Sequence, residues 1–343
     1  MKKILVTGAT GFIGKEFLRQ FSSKDYSLIC LTRRPYQAKN KNDSIQWLHC
    51  PLNETDLLTK LVNEMEDIEQ VIHLAAAYDF NLSYKELYLS NVQATISVVN
   101  FSNRLPNLKK FLHISTVAVF GRQNFMADEV ALSEVYEGNN YEKTKAMAEM
   151  FVHEHIKDGV SLTVFRPGIV IASNDRPTIF KKDGPYFLLD LIAKNKKVLR
   201  SLAVLPIPYS EKSILPIVGI DVITKAMDSW ISKESLGKKN YYHLVYNNLV
   251  SNKELIKAML KSYAIKGLVK SVRNFRLVKL IAPIVFEKLH IPKDLYSYFY
   301  YSMQFSNDNF NRDFDGLNQS FKESMPSFID GYKKSLLNSE EVL

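Results

Sequence analysis

The chain has 343 residues, 46% of them hydrophobic, and a formal net charge of +9. That length and apolar content allow a large core, suggest two lobes and exclude a disordered polypeptide. The two cysteines, Cys30 and Cys50, fit no metal-ligand spacing and exclude a disulfide framework, so a cytoplasmic setting is expected; no run approaches the roughly 20 apolar residues of a membrane span.

Met1-Lys2-Lys3 followed by Ile-Leu-Val imitates the start of a signal peptide, but Thr7-Gly8 cuts the apolar run short. The stretch from Lys3 to Thr7 reads instead as a strand, followed by Gly8-Ala-Thr-Gly11-Phe-Ile-Gly14 and an amphipathic helix over roughly 12 to 22. In this setting Gly8 takes backbone angles closed to other residues, Gly11 lets the backbone approach a pyrophosphate, and Gly14 lets the helix pack on the strand. The helix N-terminus then faces the phosphates, which predicts a dinucleotide site.

Further β-branched runs follow at Ser27 to Thr32, Ile45 to His49, Gln70 to Leu74, Lys110 to Ser115 and Ser161 to Arg166, separated by helical periodicity. The alternation predicts a Rossmann-type, doubly wound parallel α/β sheet with its ligand crevice at the carboxyl ends of the strands. It weakens after Pro167, which divides the chain into a nucleotide domain over 1–170 and a smaller, mainly helical substrate lobe over 171–343. Segments near 214–218 and 241–246 are candidates to return to the sheet. Asp221 is expected to cap a helix through Ser232, Ser251 to Glu254 forms a capping box for a helix through Tyr263, and Pro326 suits the first turn of a last helix reaching Leu337.

The positive charge gathers late: between Lys253 and Lys279 stand eight Lys or Arg and one acid, Glu254. A solvated helix face explains this most simply; a docking surface for an anionic substrate or acidic carrier is the alternative. The aromatic cluster Tyr296, Tyr298, Phe299, Tyr300 and Tyr301 reads as core or pocket wall, and no nucleic-acid motif surrounds it.

Of the eighteen tyrosines, only Tyr141 has a lysine four residues on, Lys145. On a helix such residues are neighbours, so the ammonium can ease proton loss from the phenol and also reach a cofactor ribose. The pair follows the fifth strand, whose end, Ser115-Thr116, could hydrogen-bond a carbonyl oxygen as charge develops on it.

Thr7-Gly-Ala-Thr-Gly-Phe-Ile-Gly14, His73-Leu-Ala-Ala76, Asn91 to Thr95, Ser115-Thr116 through Gly121, Tyr141 to Lys145 with Glu149, and Arg166-Pro-Gly168 together resemble the extended short-chain dehydrogenase/reductases. Ile29 to Arg33, Ile114 to Gly121, Arg166 to Val170 with Lys182 to Tyr186, and Phe305 to Asn309 with Pro326 and Tyr332 are most similar to the thioester-reductase and fatty acyl-CoA reductase, male-sterility-like branch. The resemblance implies a catalytic triad of Thr116, Tyr141 and Lys145. It implies cofactor contacts from Gly8, Thr10, Gly11, Phe12, Ile13 and Gly14, from Leu74, Ala75 and Ala76, and from Ser115, Tyr141, Lys145, Pro167 and Gly168. The expected reaction is hydride transfer to a carbonyl or acyl-thioester carbon. A nucleotide-sugar epimerase or dehydratase, a hydroxysteroid- or flavonoid-type dehydrogenase, and a non-catalytic nucleotide sensor remain alternatives.

The second strand ends Leu31-Thr-Arg33-Arg34 with no acid before Asp43, which predicts NADP(H), held through Arg33 and Arg34, over NAD(H). The sequence departs from the family after the third strand, where His49-Cys-Pro-Leu52 stands in place of an acid that contacts adenine; Asn53 or backbone groups must substitute, or adenine is held less firmly. His73 reads either as a crevice residue or as a packed structural histidine. A coenzyme A- or carrier-linked substrate could dock on the 253–279 stretch with Lys181, Lys182, Lys194, Lys196, Lys197 and Arg200. The family resemblance is compatible with a homodimer; nucleic acid is not an expected partner, and membrane contact is not expected although Phe275 to His290 mixes apolar and basic residues.

Overall fold

A computed structural model describes residues 2–21, 25–36, 44–53, 58, 61–79, 82–121, 125–173, 184–207, 210, 213–234, 236–271 and 303–340. Strands β1 (Lys2–Thr7), β2 (Tyr26–Thr32), β3 (Ile45–His49), β4 (Ile68–His73) and β5 (Lys110–Ile114) fall where the apolar runs predict them. A two-residue strand, β6 (Met126–Ala127), precedes β7 (Ser161–Pro167) and β8 (Ile169–Ile171). The second half adds β9 (Val204–Ile207), β10 (Ile217–Gly219), β11 (Lys239–Leu244), β12 (Leu268–Ser271) and β13 (Gln304–Phe305). Among the described residues the helices are α1 (Phe12–Gln20), α2 (Tyr84–Leu87), α3 (Ala94–Asn103), α4 (Asn140–His155), α5 (Pro185–Ser201), α6 (Ile220–Ser232), α7 (Asn252–Ser262), α8 (Asp308–Asp313) and α9 (Phe321–Glu340).

Seven strands form one parallel sheet in the order β3-β2-β1-β4-β5-β7-β11. The chain winds one way from β1 to β3 and the other way from β4 to β11, so the crossovers diverge beside β1 and open a crevice at its carboxyl end. Successive side chains on a strand point to opposite faces. Ile4 and Val6 therefore join one core layer with Phe17 of α1 and Met227 and Trp230 of α6, whereas Leu5 joins the other with Val98 and Val99 of α3 and Val152 of α4. Each such side chain, fully buried, contributes about 1.5–3 kcal/mol.

The segment predicted near 241–246 supplies β11 at the sheet edge; the one near 214–218 supplies β10, which pairs with β8 outside the seven strands. Two helix starts differ from the sequence expectation. Asp221 does not cap α6: the chain passes from β10 straight into the helix through Gly219, where a Cβ would lie 2.2 Å from the Tyr246 hydroxyl, and Asp221 falls in the first turn. Pro326 lies inside α9 rather than in its first turn. The helix starts earlier because Phe321, Phe328, Ile329 and Tyr332 form a buried stripe, and Phe321 is further held by its N–H to the Asn247 carbonyl at 2.9 Å. The Ser251–Glu254 capping box forms as read, starting α7. The aromatic cluster at 296–301 and the stretch from Phe275 to His290 lie outside the described residues.

Candidate functional site

The turn after β1 is closed by the Gly11 N–H on the Gly8 carbonyl at 2.9 Å. Gly8 sits at φ +76°, and a Cβ there would come within 2.5 Å of the Ala75 nitrogen. A Cβ on Gly14 would meet the Gly8 carbonyl oxygen at 2.5 Å, so α1 packs against the turn only because that residue has no side chain. Gly11 occupies the N-cap of α1 with no side-chain bond across it, which leaves the positive end of the helix dipole directed at the crevice. These are the features a pyrophosphate requires: a backbone free of Cβ atoms and a helix N-terminus.

Behind the turn lies a buried relay. The Ala75 N–H donates to Thr7 Oγ1 at 3.3 Å, and Thr7 Oγ1 meets His73 Nδ1 at 2.7 Å. His73 Nε2 meets Thr95 Oγ1 at 2.9 Å, and Thr95 donates to the Asn91 carbonyl at 2.5 Å. Since Thr95 gives its proton to Asn91, the network assigns the imidazole proton to Nε2. Burial, and then the charge of Lys145, push His73 down to about 3, so it stays neutral. Its role is to tie β1 to β4 and α3, and it does not line the cavity.

At the carboxyl end of β5 the chain leaves the sheet through Ser115 and Thr116. Thr116 is extended and caps a short helical turn, Val117–Phe120, accepting the Ala118 N–H on Oγ1 at 3.2 Å. That bond occupies a lone pair and leaves the hydroxyl proton to be donated. The Ser115 hydroxyl is buried and makes no hydrogen bond among the described residues.

Helix α4 starts at a capping box in which the Glu142 N–H donates to Asn139 Oδ1 at 2.9 Å and the Asn139 N–H to Glu142 Oε2 at 2.8 Å. This start places Tyr141 in the first turn and Lys145 one turn later. The Lys145 ammonium is 3% exposed and donates to the Ile114 carbonyl at 2.8 Å. Burial lowers it to about 8, opposed by the nearby Glu149 carboxylate.

Glu149, a further turn along α4, pairs with Arg166 of β7 in full burial: Nε to the two carboxylate oxygens at 3.1 and 3.2 Å, and an Nη to Oε1 at 2.5 Å. Arg166 also reaches His243 Nε2 at 3.1 Å and the Val130 carbonyl at 2.7 Å. The pair fixes α4 to the strand that ends at Pro167, just before Gly168.

One cavity of about 300 Å³ joins these parts. Its wall includes Gly8, Gly11, Phe12, Ile13 and Gly14 from the turn, and Leu74 and Ala76 from the end of β4. Ser115, Thr116, Tyr141, Lys145, Pro167 and Gly168 line it as well. Four residues of the expected contact set are not on this wall. Thr10 is exposed on the turn, and Ala75 backs Gly8 from behind. Arg33 and Arg34 are exposed just beyond β2, off the cavity wall. The His49 ring there meets the Arg33 carbonyl at 3.2 Å, and Asn53 is exposed nearby.

Of the basic residues considered for docking, Lys194 pairs with Asp190 at 2.6 Å, and Arg200 donates to the Tyr263 carbonyl at 3.0 and 2.8 Å, so both serve the lobe itself. Lys196, Lys197, Lys257 and Lys261 are exposed, whereas Lys181, Lys182, Arg273, Arg276 and Lys279 lie outside the described residues.

Asn91 was matched only as part of a motif, yet it is central to the site. It lies in a π-helical turn, Tyr88–Gln93, a wide turn that recurs at functional sites. Its side chain accepts the Ala77 N–H at 2.7 Å and donates to the Ala77 carbonyl at 3.2 Å and to Thr144 of α4 at 3.1 Å. The position of its partners in space, rather than any spacing in the chain, reveals this. Tyr78, at 4.9 Å from Tyr141 between ring centroids, lines the cavity and is not singled out by the sequence.

Fatty acyl-CoA reductase 2 of Mus musculus is 23% identical over 310 residues, covering 72% of this chain; the chain spans only 58% of that relative's length. The terminal R domain from the myxalamid PKS-NRPS biosynthetic pathway has the same fold, with a TM-score of 0.73 and 20% identity over 99% of this chain and 91% of the other. The UDP-glucuronic acid 4-epimerase from Bacillus cereus, solved with NAD, gives a TM-score of 0.65 at 17% identity over 97% of each chain. Among the described residues, no helix is long and apolar enough to cross a membrane. Residues 4–201 match the NAD dependent epimerase/dehydratase family, and with more than half of its length in that match the chain belongs to this family.

Proposed function

We propose that the protein is an NADPH-dependent reductase acting on a carbonyl or acyl-thioester group attached to an apolar chain. The observation that carries this reading is the shared wall on which Thr116, Tyr141 and Lys145 meet the glycine turn. When bound, the reduced nicotinamide supplies the hydride. The glycine turn and the α1 N-terminus would hold its pyrophosphate, Ser115 would offer a hydroxyl to it, and Arg33 with Arg34 would hold the 2′-phosphate beyond β2.

Thr116 and Tyr141 would both donate hydrogen bonds to the substrate oxygen, stabilising the negative charge that develops there. Tyr141 then passes its proton to that oxygen, and the Lys145 cation beside it favours the phenolate left behind. With one donor on Ile114, the ammonium keeps others for the ribose hydroxyls. A ketone or aldehyde would become an alcohol; a thioester would lose its thiolate and leave an aldehyde.

Beyond the triad the wall is apolar, with Val117, Val170, Tyr186, Leu215, Met303 and Phe305, and its charged members among the described residues are Glu142 and Lys145. A nucleotide sugar presents two phosphates that need cations, whereas an acyl chain needs this kind of surface. Exposed lysines on α5 and α7 would serve coenzyme A or an acidic carrier from outside the cavity.

The test is to follow NADPH absorbance with purified protein offered octanoyl-CoA, octanal, simple ketones and UDP-sugars. Consumption with the acyl or carbonyl compounds supports the reading, and turnover of a UDP-sugar without net consumption would establish the epimerase alternative. Tyr141→Phe is expected to lower turnover by at least about a hundredfold while cofactor affinity stays within twofold; loss of cofactor binding, or retained turnover, removes Tyr141 from the mechanism.

A further inference from the structure

The loop that follows β4 carries Leu74 and Ala76 to the cofactor side of the cavity and then turns Tyr78 onto the ring of Tyr141. The two rings stand 4.9 Å apart at 68°, an edge-to-face pair. Tyr78 is 40% exposed and lines the cavity together with Tyr141, so the ring pair forms part of the cavity wall. The contact is not an accident of a loose loop. Both backbone polar groups of the preceding residue, Ala77, are held by the side chain of Asn91, which is 1% exposed. The same side chain donates to Thr144, the residue before Lys145. One buried amide thus registers the Tyr78 loop against the helix that bears Tyr141 and Lys145.

We infer that Tyr78 is a positioning residue for Tyr141, fixing the orientation of its ring on the cavity wall that it shares with Thr116. The inference rests on the reading of Tyr141 as proton donor for its kinetic consequence, but the ring contact itself is measurable without turnover. Tyr78→Ala removes the ring, and Tyr78→Phe keeps it while deleting the hydroxyl. Aromatic pairs of this geometry support an effect of about three- to tenfold.

In protein labelled with 13C at the tyrosine ring, the Tyr141 resonance is assigned by its loss in Tyr141→Phe. It should shift in Tyr78→Ala and return near its original position in Tyr78→Phe. With octanal and NADPH as probes, Tyr78→Ala should lower kcat about three- to tenfold, leave KM and NADPH affinity unchanged and raise the solvent deuterium isotope effect; Tyr78→Phe should restore all of these. A Tyr141 resonance unmoved by Tyr78→Ala overturns the inference whatever the kinetics. So does a rise in KM with kcat intact, which would make Tyr78 a substrate wall only. Absence of turnover by the unmodified protein on every probe would instead count against the proposed function, and the resonance would still decide the contact.

Discussion

Replacing Lys145 by Met is expected to separate stability from activity. The ammonium is buried at 3% exposure, and burial lowers it from 10.5 to about 8. That gap corresponds to about 3 kcal/mol in favour of the neutral amine in the folded protein. The unfolded chain therefore holds the proton more tightly. The stability linked to this group is complete above the unfolded value of 10.5 and is lost as pH falls through the folded value of about 8. At neutral pH the folded protein bears the cost of a buried cation, offset by about 1.5–3 kcal/mol from the hydrogen bond to Ile114. Lys145→Met removes both, so at about pH 7 it should leave stability unchanged or raise it by up to about 1.5 kcal/mol. Between about pH 7 and about pH 9.5 the unmodified protein should gain about 2 kcal/mol relative to the variant as the amine deprotonates. Urea unfolding of both proteins across that range, with m-values compared, measures the difference directly. Turnover of the variant should fall by at least about a hundredfold. A stability difference that does not vary with pH, or a loss of more than about 3 kcal/mol at neutral pH, would refute the assignment of Lys145 as a desolvated cation.

Gly8→Ala should cost at least about 3 kcal/mol and abolish cofactor binding, because positive φ strain adds to a clash with the Ala75 backbone. Gly159→Ala is the control, since Gly159 has φ +88° but open space around it, and it should lose only about 1–2 kcal/mol in a thermal or urea melt. Glu149→Leu should lower stability by about 3–5 kcal/mol by leaving Arg166 buried and unpaired, and the added change Arg166→Met should recover most of it in a double-mutant cycle. Arg33→Ala should weaken NADPH binding about tenfold or more and leave NADH binding unchanged, by fluorescence titration; equal effects on both cofactors would contradict a 2′-phosphate contact.

What could be read along the chain is what repeats locally or depends on a few adjacent residues. The strands β1 to β5 and β7 were readable because β-branched runs alternate with helical stretches, and the glycine turn because its three positions act within seven residues. The capping box formed by Ser251 and Glu254 follows the same logic. Asp221 and Pro326 were misplaced because the residues that set those helix starts lie far away in sequence: Tyr246 crowds Gly219, and Asn247 anchors Phe321. The contacts of Asn91, legible only as part of a motif, and those of Tyr78 are hidden in the sequence for the same reason. Their partners, Ala77, Thr144 and Tyr141, are defined by packing of the β4 loop on α4.

Two lysines show how far residue type and local context can go. Lys110 begins β5 and Lys145 stands on α4; both are buried, and burial lowers each to about 8. Lys110 lies over the Trp230 ring at 4.3 Å and donates to the carbonyls of Trp230, of Ile231 at 3.3 Å and of Lys233 at 2.8 Å. Its three donors are thus matched at the C-terminus of α6, where a cation also complements the helix dipole, and its function is to cap that helix. Among the described residues Lys145 has one carbonyl partner, and it lies on the cavity wall. Burying an ammonium with its donors only partly matched is costly, and a protein retains such a group where a ligand completes it. The same chemistry therefore serves as a structural clamp at Lys110, whereas at Lys145 it faces the cavity, where the proposed reaction would use it; the variable that separates the two is how many donors the fold itself satisfies among the described residues.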